Sequence, residues 1–568
     1  MQNPHAAGLP ADSKQNRTFQ GCYDQDLESE EQANQPSSGW APLRRPLFRD
    51  RWLAALVSNL GSWMQDTAGT WLMVTLTSSP LLIALMQTAA SLPVLLLGIP
   101  AGANADMFDR RRLLIFWQSW MLGSVAILSV LTVAGVVSPW TLLVLTLLLN
   151  IGAAMSNPAW QAIVPELVPR KELPDAIALN SAGYNLARAL GPAMGGLAMA
   201  GFASALTGAG VVFFFNSASF LAVIIVMYRW RRAPLFKSAL PAERLFESMQ
   251  SALRYTRHSP PMLAILLRSF LFTIFVSAMW ALLAVVAQQD LKQGATGYGI
   301  LTACIGVGAV TGATSLARLR RRFHADSIAL VATGVIALTL GVLAFARSVP
   351  LVLVALFAAG FAWTSTTSTM NVAVQMSVPA WVQARALGTY QMVFQGGMAL
   401  GSAAWGLLAE HTTTSTALIY ASAGLFLTLP IAKRWPLLRG AQPDLSLATT
   451  PRTETKFSRQ PENDEGPVLV TIEYRIRSED YNDFTHRIHQ MRYVRLRDGA
   501  ARWGVYQDAA DPERLIETFV VDSWLEHLRL RERMTASDRL IRDSIWALHQ
   551  GDAPPRVSHM IYARERED

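Results

Sequence analysis

Charged residues are scarce in this sequence: Asp, Glu, Lys and Arg make up 16% of its 568 residues, against about 25% in typical soluble domains. Cysteine is rarer still, with only Cys22 and Cys304, so neither a disulfide framework nor a cysteine-based metal site is expected. The sequence has no GxxxxGK[ST] phosphate loop, which argues against ATP-driven chemistry. No signal-peptide pattern opens the chain, so its first apolar run is expected to direct its own insertion. No cofactor and no metal are predicted.

Long apolar runs are what the sequence does have. Hydrophobic residues make up 51% of the chain, and the mean hydropathy is +0.25. A helix needs about 20 apolar residues to cross the hydrocarbon core, and only a helix satisfies its own backbone polar groups there. Twelve such runs occur in two groups of six, which predicts an all-α polytopic membrane protein. The predicted spans are 52–77, 81–105, 113–135, 139–162, 176–201, 209–229, 262–288, 294–317, 326–346, 350–376, 386–409 and 414–434.

The basic residues indicate how these spans are oriented. The net charge is +8, yet the arginines and lysines form no patch interleaved with aromatic residues, so a nucleic-acid partner is not expected. Nearly all of them lie in alternate loops, and only Lys292 and Arg347 lie in loops on the other side. Basic loops stay in the cytoplasm. The sequence therefore predicts a multi-pass protein of the inner cell membrane with both termini cytoplasmic.

Changes in composition divide the chain into six predicted regions. The polar ends contrast with a middle rich in Leu, Ala, Val and Gly, and Leu245, Met249 and Leu253 recur on one helix face between the two groups of spans. The predicted regions are a disordered cytoplasmic head (1–45), an N-terminal six-helix bundle (46–230), a cytoplasmic linker with an amphipathic helix (231–260), a C-terminal six-helix bundle (261–437), a flexible linker (438–466) and a cytoplasmic domain (467–564).

The two groups of spans share an internal repeat. An Asn-x3-Gln-x3-Pro pattern ends the fourth span and the tenth, and the span after each has two glycines four residues apart. The repeated residues are Asn157, Gln161, Gly191 and Gly195 in the first half and Asn371, Gln375, Gly397 and Gly401 in the second. Such pseudo-repeats predict a substrate path between the halves, near the membrane midplane.

Asp66 and Arg188 are the candidate coupling residues. Asp66 lies near the middle of the first span, where an ionisable side chain is costly and indicates function. It shares a helix face with Asn59, Ser62 and Thr70, which predicts a cavity lining. Two interpretations stay open: Asp66 loads and releases a proton, or it is held permanently ionised. Arg188 of the fifth span either binds an anionic substrate or, as the favoured interpretation, pairs with Asp66. Arg268 is expected to snorkel to the surface as an anchor.

Two motifs resemble those of the major facilitator superfamily. Gly191-Pro192-Ala-Met-Gly195-Gly196 is similar to the fifth-span antiporter motif of that superfamily's drug exporters, and it predicts close helix contact. Residues 102–112 resemble the loop motif between spans two and three, which implies Asp106 as gate residue, with Gly102, Arg110 and Arg111. Met107 and Asp109 depart from the motif. The fourth span lacks the buried arginine of the superfamily's proton-transfer motif, and Asn150 is the nearest polar residue.

Longer stretches resemble the enterobactin exporter-like branch of the superfamily. These stretches are residues 157–169 and 390–401, together with a fused cytoplasmic tail. The resemblance implies the major facilitator fold and export of a siderophore, drug or other bulky amphipathic compound. Plausible cavity-lining residues are Asn59, Trp63, Gln87, Gln118, Asn157, Gln161, Tyr184, Gln375, Gln391 and Gln395.

The tail alternates in the order βαββαβ, with one long helix predicted over Ser523–Leu548, and this order predicts a ferredoxin-like α+β domain. It is similar to dimeric α+β barrel domains of the antibiotic-biosynthesis monooxygenase type. A homodimer through this domain is therefore a possible assembly. His486, His489, Trp503, Trp524 and His527 are candidates for an oxygenase or ligand pocket, although exposure explains the first two more simply.

These patterns together predict a proton-coupled secondary exporter that works by alternating access. Its expected partners are the lipid bilayer, protons and a small-molecule substrate, and it is not expected to be an enzyme. Two alternatives concern the tail, which would either sense a ligand and regulate the transporter or modify the cargo.

Overall fold

The computed structural model describes residues 40–169, 172–230, 253–345, 347–379, 381–437, 444–446, 461–551 and 553–563. Most of the predicted head, of the 231–260 linker with its amphipathic helix, and of the 438–466 linker lies outside the described residues.

The described part of the body contains twelve helices of 21 to 31 residues, here numbered α1–α12 in chain order. Ten of them are long and apolar enough to cross a membrane by length and composition. The other two, α1 and α5, carry Asp66 and Arg188. The bounds are Pro46–Leu76, Pro80–Met107, Arg110–Val133, Pro139–Ala162, Leu173–Ala200, Ala205–Arg229, Pro260–Val285, Ala295–Arg322, Ala325–Phe345, Val349–Ser377, Gln383–His411 and Thr414–Arg434.

Proline and serine mark where several helices begin. Pro80 and Pro139 occupy the first helical turn, where the missing backbone N–H is not needed. The hydroxyl groups of Ser79 and Ser138 accept hydrogen bonds from backbone N–H groups two residues inside α2 and α4. These caps satisfy donors that a helix terminus leaves free. The starts of α2 and α4 therefore have a local physical cause.

Glycines bring α5 against α1 and α11 against α7. A Cβ atom at Gly195 would lie 2.8 Å from the Met64 carbonyl oxygen, and one at Gly397 would lie 3.2 Å from the Phe270 carbonyl oxygen. Backbones approach this closely only where a side chain is absent. Since α1 and α5 correspond to α7 and α11 when six helices are counted on, the same packing contact is repeated in both halves.

Two other helix pairs make the main contacts between the two halves: α2 with α11, and α5 with α8. At the second pair, a Cβ atom at Gly196 would lie 2.7 Å from the Ala295 carbonyl oxygen and 3.0 Å from Gly299. Gly191 and Gly195 of the Gly191-Pro192-Ala-Met-Gly195-Gly196 stretch thus pack on α1, whereas Gly196 packs on α8 of the other half.

The tail forms a four-stranded antiparallel sheet with strand order β2-β3-β1-β4. Its strands are β1 (Val468–Arg475), β2 (Arg502–Gln507), β3 (Arg514–Val521) and β4 (Arg556–Ile561), and its helices are α13 (Tyr481–Asp498), α14 (Trp524–Arg533) and α15 (Ala536–Trp546). Alternate residues of β1 are buried, as expected for a strand with helices on one side.

The prediction of a single helix over Ser523–Leu548 is wrong, because the helix is interrupted between α14 and α15. Thr535 caps α15: its hydroxyl accepts from the backbone N–H of Asp538, and the Asp538 carboxylate accepts in return from the Thr535 backbone N–H. This reciprocal capping box starts a new helix. The apolar periodicity continues through the break, which is why the pattern alone suggested one helix.

Candidate functional site

A cavity of about 110 Å³ lies between the two halves, at mid-depth of the helices. Both halves contribute to its lining, which mixes aromatic, aliphatic and polar side chains and contains one acid and one base. From the first half the lining includes Trp63, Gln65, Asp66, Thr70, Met86, Gln87, Thr146, Arg188, Pro192 and Phe213; from the second it includes Trp280, Tyr298, Thr302 and Gly306.

Asp66 is the one carboxylate in this lining. It lies ten residues before the end of α1, which places it about 15 Å from that end. Its side chain is exposed to the cavity while Gln65 and Thr67 beside it are buried. Among the described residues, no basic side chain lies within 4.0 Å of its carboxylate. A carboxylate that faces a cavity with no ion-pair partner can exchange a proton or contact a ligand.

Arg188 lies on α5 at similar depth and lines the same cavity. Its guanidinium lies over the Trp63 ring, 5.7 Å from the ring centroid, and Tyr184 contacts the same ring edge-on at 6.1 Å. The ion pair between Asp66 and Arg188 that the sequence favoured is absent in this conformation. The face of the Trp63 indole attracts the Arg188 cation and partly compensates the absence of an acidic partner. The charges of Asp66 and Arg188 both remain available to a ligand in the cavity.

The sequence analysis missed several polar residues of the cavity wall. Gln65 is buried and accepts a hydrogen bond from the Asn216 side-chain amide at 2.5 Å. Tyr298 of the second half stacks on Trp71 with the ring centroids 5.7 Å apart. The position of Gln65 next to Asp66 was the available signal. Nothing in the pattern indicated Tyr298, because its role depends on how the two halves meet.

Most of the predicted lining residues do not line this cavity. Trp63 and Gln87 do, and the Gln87 amide donates to Ser91 at 3.0 Å. Gln118 is 7% exposed and packs inside the first half. The predicted residues that lie elsewhere are Asn59, Gln118, Asn157, Gln161, Tyr184, Gln375, Gln391 and Gln395. They were selected by polarity, and polarity alone does not give the depth of a residue or the direction of its helix face.

The repeated Asn-x3-Gln patterns form the same contact in both halves. The Gln161 amide donates to the Asn157 side chain at 3.2 Å in α4, and the Gln375 amide donates to Asn371 at 2.6 Å in α10. Gln161 and Gln375 are exposed. These matched pairs lie near the end of the body where α1 begins and α12 ends, which is called the tail side below.

The loop motif holds helix ends together on the tail side. Arg110 pairs with Glu166 at 2.8 Å, and Arg111 donates to the Met227 and Tyr228 carbonyl oxygens at 2.9 and 2.6 Å. Asp109, where the motif usually has glycine, caps α3 by accepting from a backbone N–H. The Asp106 side chain lies outside the described residues. Among the described residues, no atom lies within 4 Å of a Cβ atom placed at Gly102, so none of them requires a glycine there.

Arg268 does not snorkel to the surface as expected. It is 6% exposed, pairs with Asp326 of α9, and donates to the Trp435 carbonyl oxygen at 3.1 Å. The backbone N–H of Leu437 donates to the same carboxylate. The arginine therefore ties α7, α9 and the end of α12 together, because an acid within reach compensates its burial.

The end of the body opposite the tail side is closed between the halves. The Ser79 hydroxyl donates to Glu410 at 2.8 Å, and the Gln288 amide approaches the Val74 carbonyl oxygen at 3.5 Å. Leu72, Met73 and Val74 are buried. With Trp71 stacked on Tyr298, these contacts separate the cavity from that side.

The tail docks on the tail side of the second half. Arg254 donates to the Gly499 carbonyl oxygen at 2.8 Å, and the Arg497 guanidinium lies 5.5 Å from the Tyr255 ring centroid. The Arg533 guanidinium lies 4.6 Å from the ring centroid of Trp381, which lies in the α10–α11 loop. These residues are called the docking interface below.

Buried charges stabilise the tail behind this interface. Arg497 bonds both Asp498 and Asp538, at 2.8 and 2.6 Å. Burial raises the pKa of Asp498 to about 6, although the Arg497 charge opposes the shift. On the sheet, Glu517 is fully buried and accepts from Arg495, Trp503 and Tyr474.

The five aromatic and histidine candidates of the tail form two separate groups. His489 is exposed and contacts Trp503 edge-on at 5.5 Å, and His486 is exposed as well. His527 is 3% exposed and lies 5.1 Å from Trp524 and 4.7 Å from His559, measured between ring centroids. Burial lowers the pKa of His527 to about 3, with the His559 charge a smaller cause. The described residues contain no group of three metal-ligating side chains.

Curated proteins similar to this chain are transporters. The uncharacterized MFS-type transporter YfiS of Bacillus subtilis is 26% identical over 66% of this chain and 91% of its own length. The multidrug efflux pump Tap of Mycolicibacterium fortuitum is 25% identical over 70% of this chain and 97% of its own. The staphyloferrin A transporter of Staphylococcus aureus is 31% identical over 25% of this chain and 36% of its own.

A solved structure shares the fold. A mutant form of the nucleoside transporter NupG superposes with a TM-score of 0.58 at 12% identity, covering 69% of this chain and all of that one. The family model described as transmembrane secretion effector matches residues 37–568. Two helical halves joined around a polar cavity, and this match over most of the sequence, lead to one conclusion: the chain belongs to the transmembrane secretion effector family of major facilitator superfamily transporters.

Proposed function

We propose that this transporter exports a bulky amphipathic small molecule, such as a siderophore or a drug, by proton-coupled alternating access. The observation that carries the proposal is the placement of Asp66 and Arg188 in one cavity between the halves, without an ion pair between them. An exporter of this type must bind protons and cargo at a site that both halves enclose.

The chemistry of the cavity wall supports an amphipathic cargo. Trp63, Phe213, Trp280 and Tyr298 supply aromatic surface, while Asp66 and Arg188 supply opposite charges. Ligand pockets commonly combine mostly apolar walls with a few oriented polar groups. The names of two relatives, a multidrug efflux pump and a siderophore transporter, favour the same class of cargo.

The orientation of the chain is part of the proposal. The tail side carries the arginines of the loop motif and those that end α8, and basic ends stay in the cytoplasm. Both termini and the tail are then cytoplasmic, and the membrane is the inner cell membrane. In this orientation, the end of the body that contacts between the halves close would face away from the cytoplasm.

Twelve spans in two six-helix repeats complete the proposed architecture. All of the helices α1–α12 are long enough to cross the membrane, and α1 and α5 fall below the hydropathy of the rest because they carry the polar residues of the cavity. The paired glycine contacts and the paired Asn-x3-Gln bonds support the repeat. The proposed units are the regions 46–230 and 261–437, with the domain 467–564 after them.

Replacing Asp66 by asparagine tests the coupling. Asp66→Asn keeps the size of the side chain and removes the titratable group, so we expect proton-driven uptake into inverted vesicles to be abolished. The matched control is Asp290→Asn, because Asp290 pairs with Arg347 at the closed end, outside the cavity. Undiminished, gradient-dependent uptake by Asp66→Asn would refute the role given to Asp66. A substrate panel in an efflux-deficient host, with and without an uncoupler, would identify the cargo class.

Regulation by the tail is the second proposed function. The strand order β2-β3-β1-β4 supports a ferredoxin-like domain, and a homodimer through this domain, of the α+β barrel type, remains part of the proposal. The docking interface favours regulation over catalysis, because it joins the tail to Trp381 in the α10–α11 loop. Deletion of residues 440–568 discriminates between the two: intact efflux without ligand control supports regulation, whereas consumption of the cargo by the full chain supports an enzyme.

A further inference from the structure

A basic cleft lies on the tail side of the second half, away from the central cavity. It has a volume of about 330 Å³ and lies where α8 ends, α9 begins and α10 passes. Arg320, Arg321, Arg322 and His324 line its rim, and Thr369 is among the α10 residues of its wall. Nothing in the proposed export cycle requires these residues.

The arginines of the cleft lack acidic partners. Among the described residues, no carboxylate lies within 4.0 Å of Arg320, Arg321 or Arg322. The acid that is nearest in sequence, Asp326, is engaged by Arg268 and by the Leu437 backbone N–H. The α8 C-terminus favours positive charge by about 0.3–1 kcal/mol per residue. This explains a basic helix end, but it does not explain why three guanidinium groups line one cleft.

A buried hydroxyl in the cleft wall is the second, independent observation. Thr369 is 2% exposed, and its Oγ1 atom has no hydrogen-bond partner among the described residues. Buried hydroxyl groups are normally paired, since an unpaired one costs about 1–3 kcal/mol. Next to it, Arg320 donates to the Ser368 hydroxyl at 3.1 Å, which holds one guanidinium against α10.

We propose that this cleft binds a phosphate group, with guanidinium groups of Arg320–Arg322 and the Thr369 hydroxyl as its donors. Guanidinium groups form paired hydrogen bonds to phosphate oxygens. The phosphate belongs either to an anionic lipid headgroup or to a soluble phosphate compound. Phe323 and Met376, exposed apolar side chains that also line the cleft, would contact the acyl chains in the first case.

The test measures phosphate binding by the purified full-length protein. Nanodiscs of phosphatidylcholine, with and without added phosphatidylglycerol, are analysed by native mass spectrometry for retained lipid, and inorganic phosphate is titrated by calorimetry. We expect saturable binding at one site. Lipid retention without binding of inorganic phosphate identifies a headgroup, whereas binding of inorganic phosphate that displaces the lipid identifies a soluble phosphate.

Three variants separate a built site from surface charge. Arg322→Gln should weaken binding about tenfold, and Thr369→Val about threefold to tenfold, the loss expected for one charged and one neutral hydrogen bond. Arg318→Gln is the matched control, because Arg318 is an exposed arginine on the same helix outside the cleft, and its affinity should stay within about twofold of the unmodified protein. Equal losses in Arg318→Gln and Arg322→Gln, or the absence of saturable binding, would overturn the proposal.

Discussion

Replacing Trp381 by alanine should release the tail from the second half. One contact of this indole crosses the docking interface: the Arg533 guanidinium of the tail lies 4.6 Å from its ring centroid. The Tyr255 ring, which contacts the indole edge-on at 5.8 Å, belongs to the body as Trp381 does and holds the indole in place. A cation–π contact contributes about 0.5–2 kcal/mol. Its loss, about 1 kcal/mol, corresponds to a shift of about fivefold toward the undocked state.

Hydrogen exchange of the full-length protein measures this shift. Peptides that cover residues 381–390 of the body and 495–503 of the tail should exchange faster in Trp381→Ala. Trp435→Ala is the control, since Trp435 is a partly exposed indole on the tail side that makes none of the contacts of the docking interface. The tail itself should keep its protection elsewhere, because Trp381 lies outside its core. Identical exchange of both peptides in the variant and the unmodified protein would refute the energetic role assigned to the interface.

Three further perturbations test other contacts. Gly195→Val places methyl groups against the Met64 backbone, and we expect overpacking of about 1–3 kcal/mol, seen as a lower thermal midpoint. Gly123→Val, where a Cβ meets open space, should be tolerated, and equal midpoints would count against the predicted contact. Glu517→Gln leaves Arg495 buried without its partner charge, so tail stability from pulse proteolysis in urea should fall by about 3 kcal/mol; an unchanged value would contradict this. His527 has a folded pKa of about 3, below the unfolded value of about 6.5, so acid favours the unfolded tail. Stability should fall by about 2–3 kcal/mol between about pH 6.5 and 4.5, and His527→Phe should reduce that slope; an identical slope would argue against burial of a neutral ring.

The helices could be predicted from the sequence because lipid imposes one strong rule on each apolar run. The first residue of α4, Pro139, coincides with the predicted start of its span, and the Asn-x3-Gln repeats matched between the halves. The helix boundaries in the structure differ from the predicted ones where capping residues or contacts with other helices determine the helix ends. At α1 the helix begins at Pro46, six residues before the first tryptophan of the predicted span, since a proline and the basic stretch after it fit a helical first turn outside the lipid.

The candidate site was only partly predictable. Asp66 and Arg188 stood out because buried charge is rare in a membrane, and both line the cavity. Tyr298 and Gln65 did not stand out, since a tyrosine in an apolar helix and an amide beside an acid have many ordinary explanations. Arg268 was misjudged for a related reason: its distance from the helix end suggested a surface position, whereas its partner Asp326 comes from a helix 58 residues later.

The asymmetry of the docking interface has a practical consequence. Its body residues Arg254, Tyr255 and Trp381 all belong to the second half, so a rigidly attached tail travels with that half when the halves rock against each other. A fluorophore on the tail paired with one on the α2–α3 turn would therefore convert each transport cycle into a change in energy transfer. The tail thus provides a labelling position outside the membrane from which the transport cycle of single molecules can be followed.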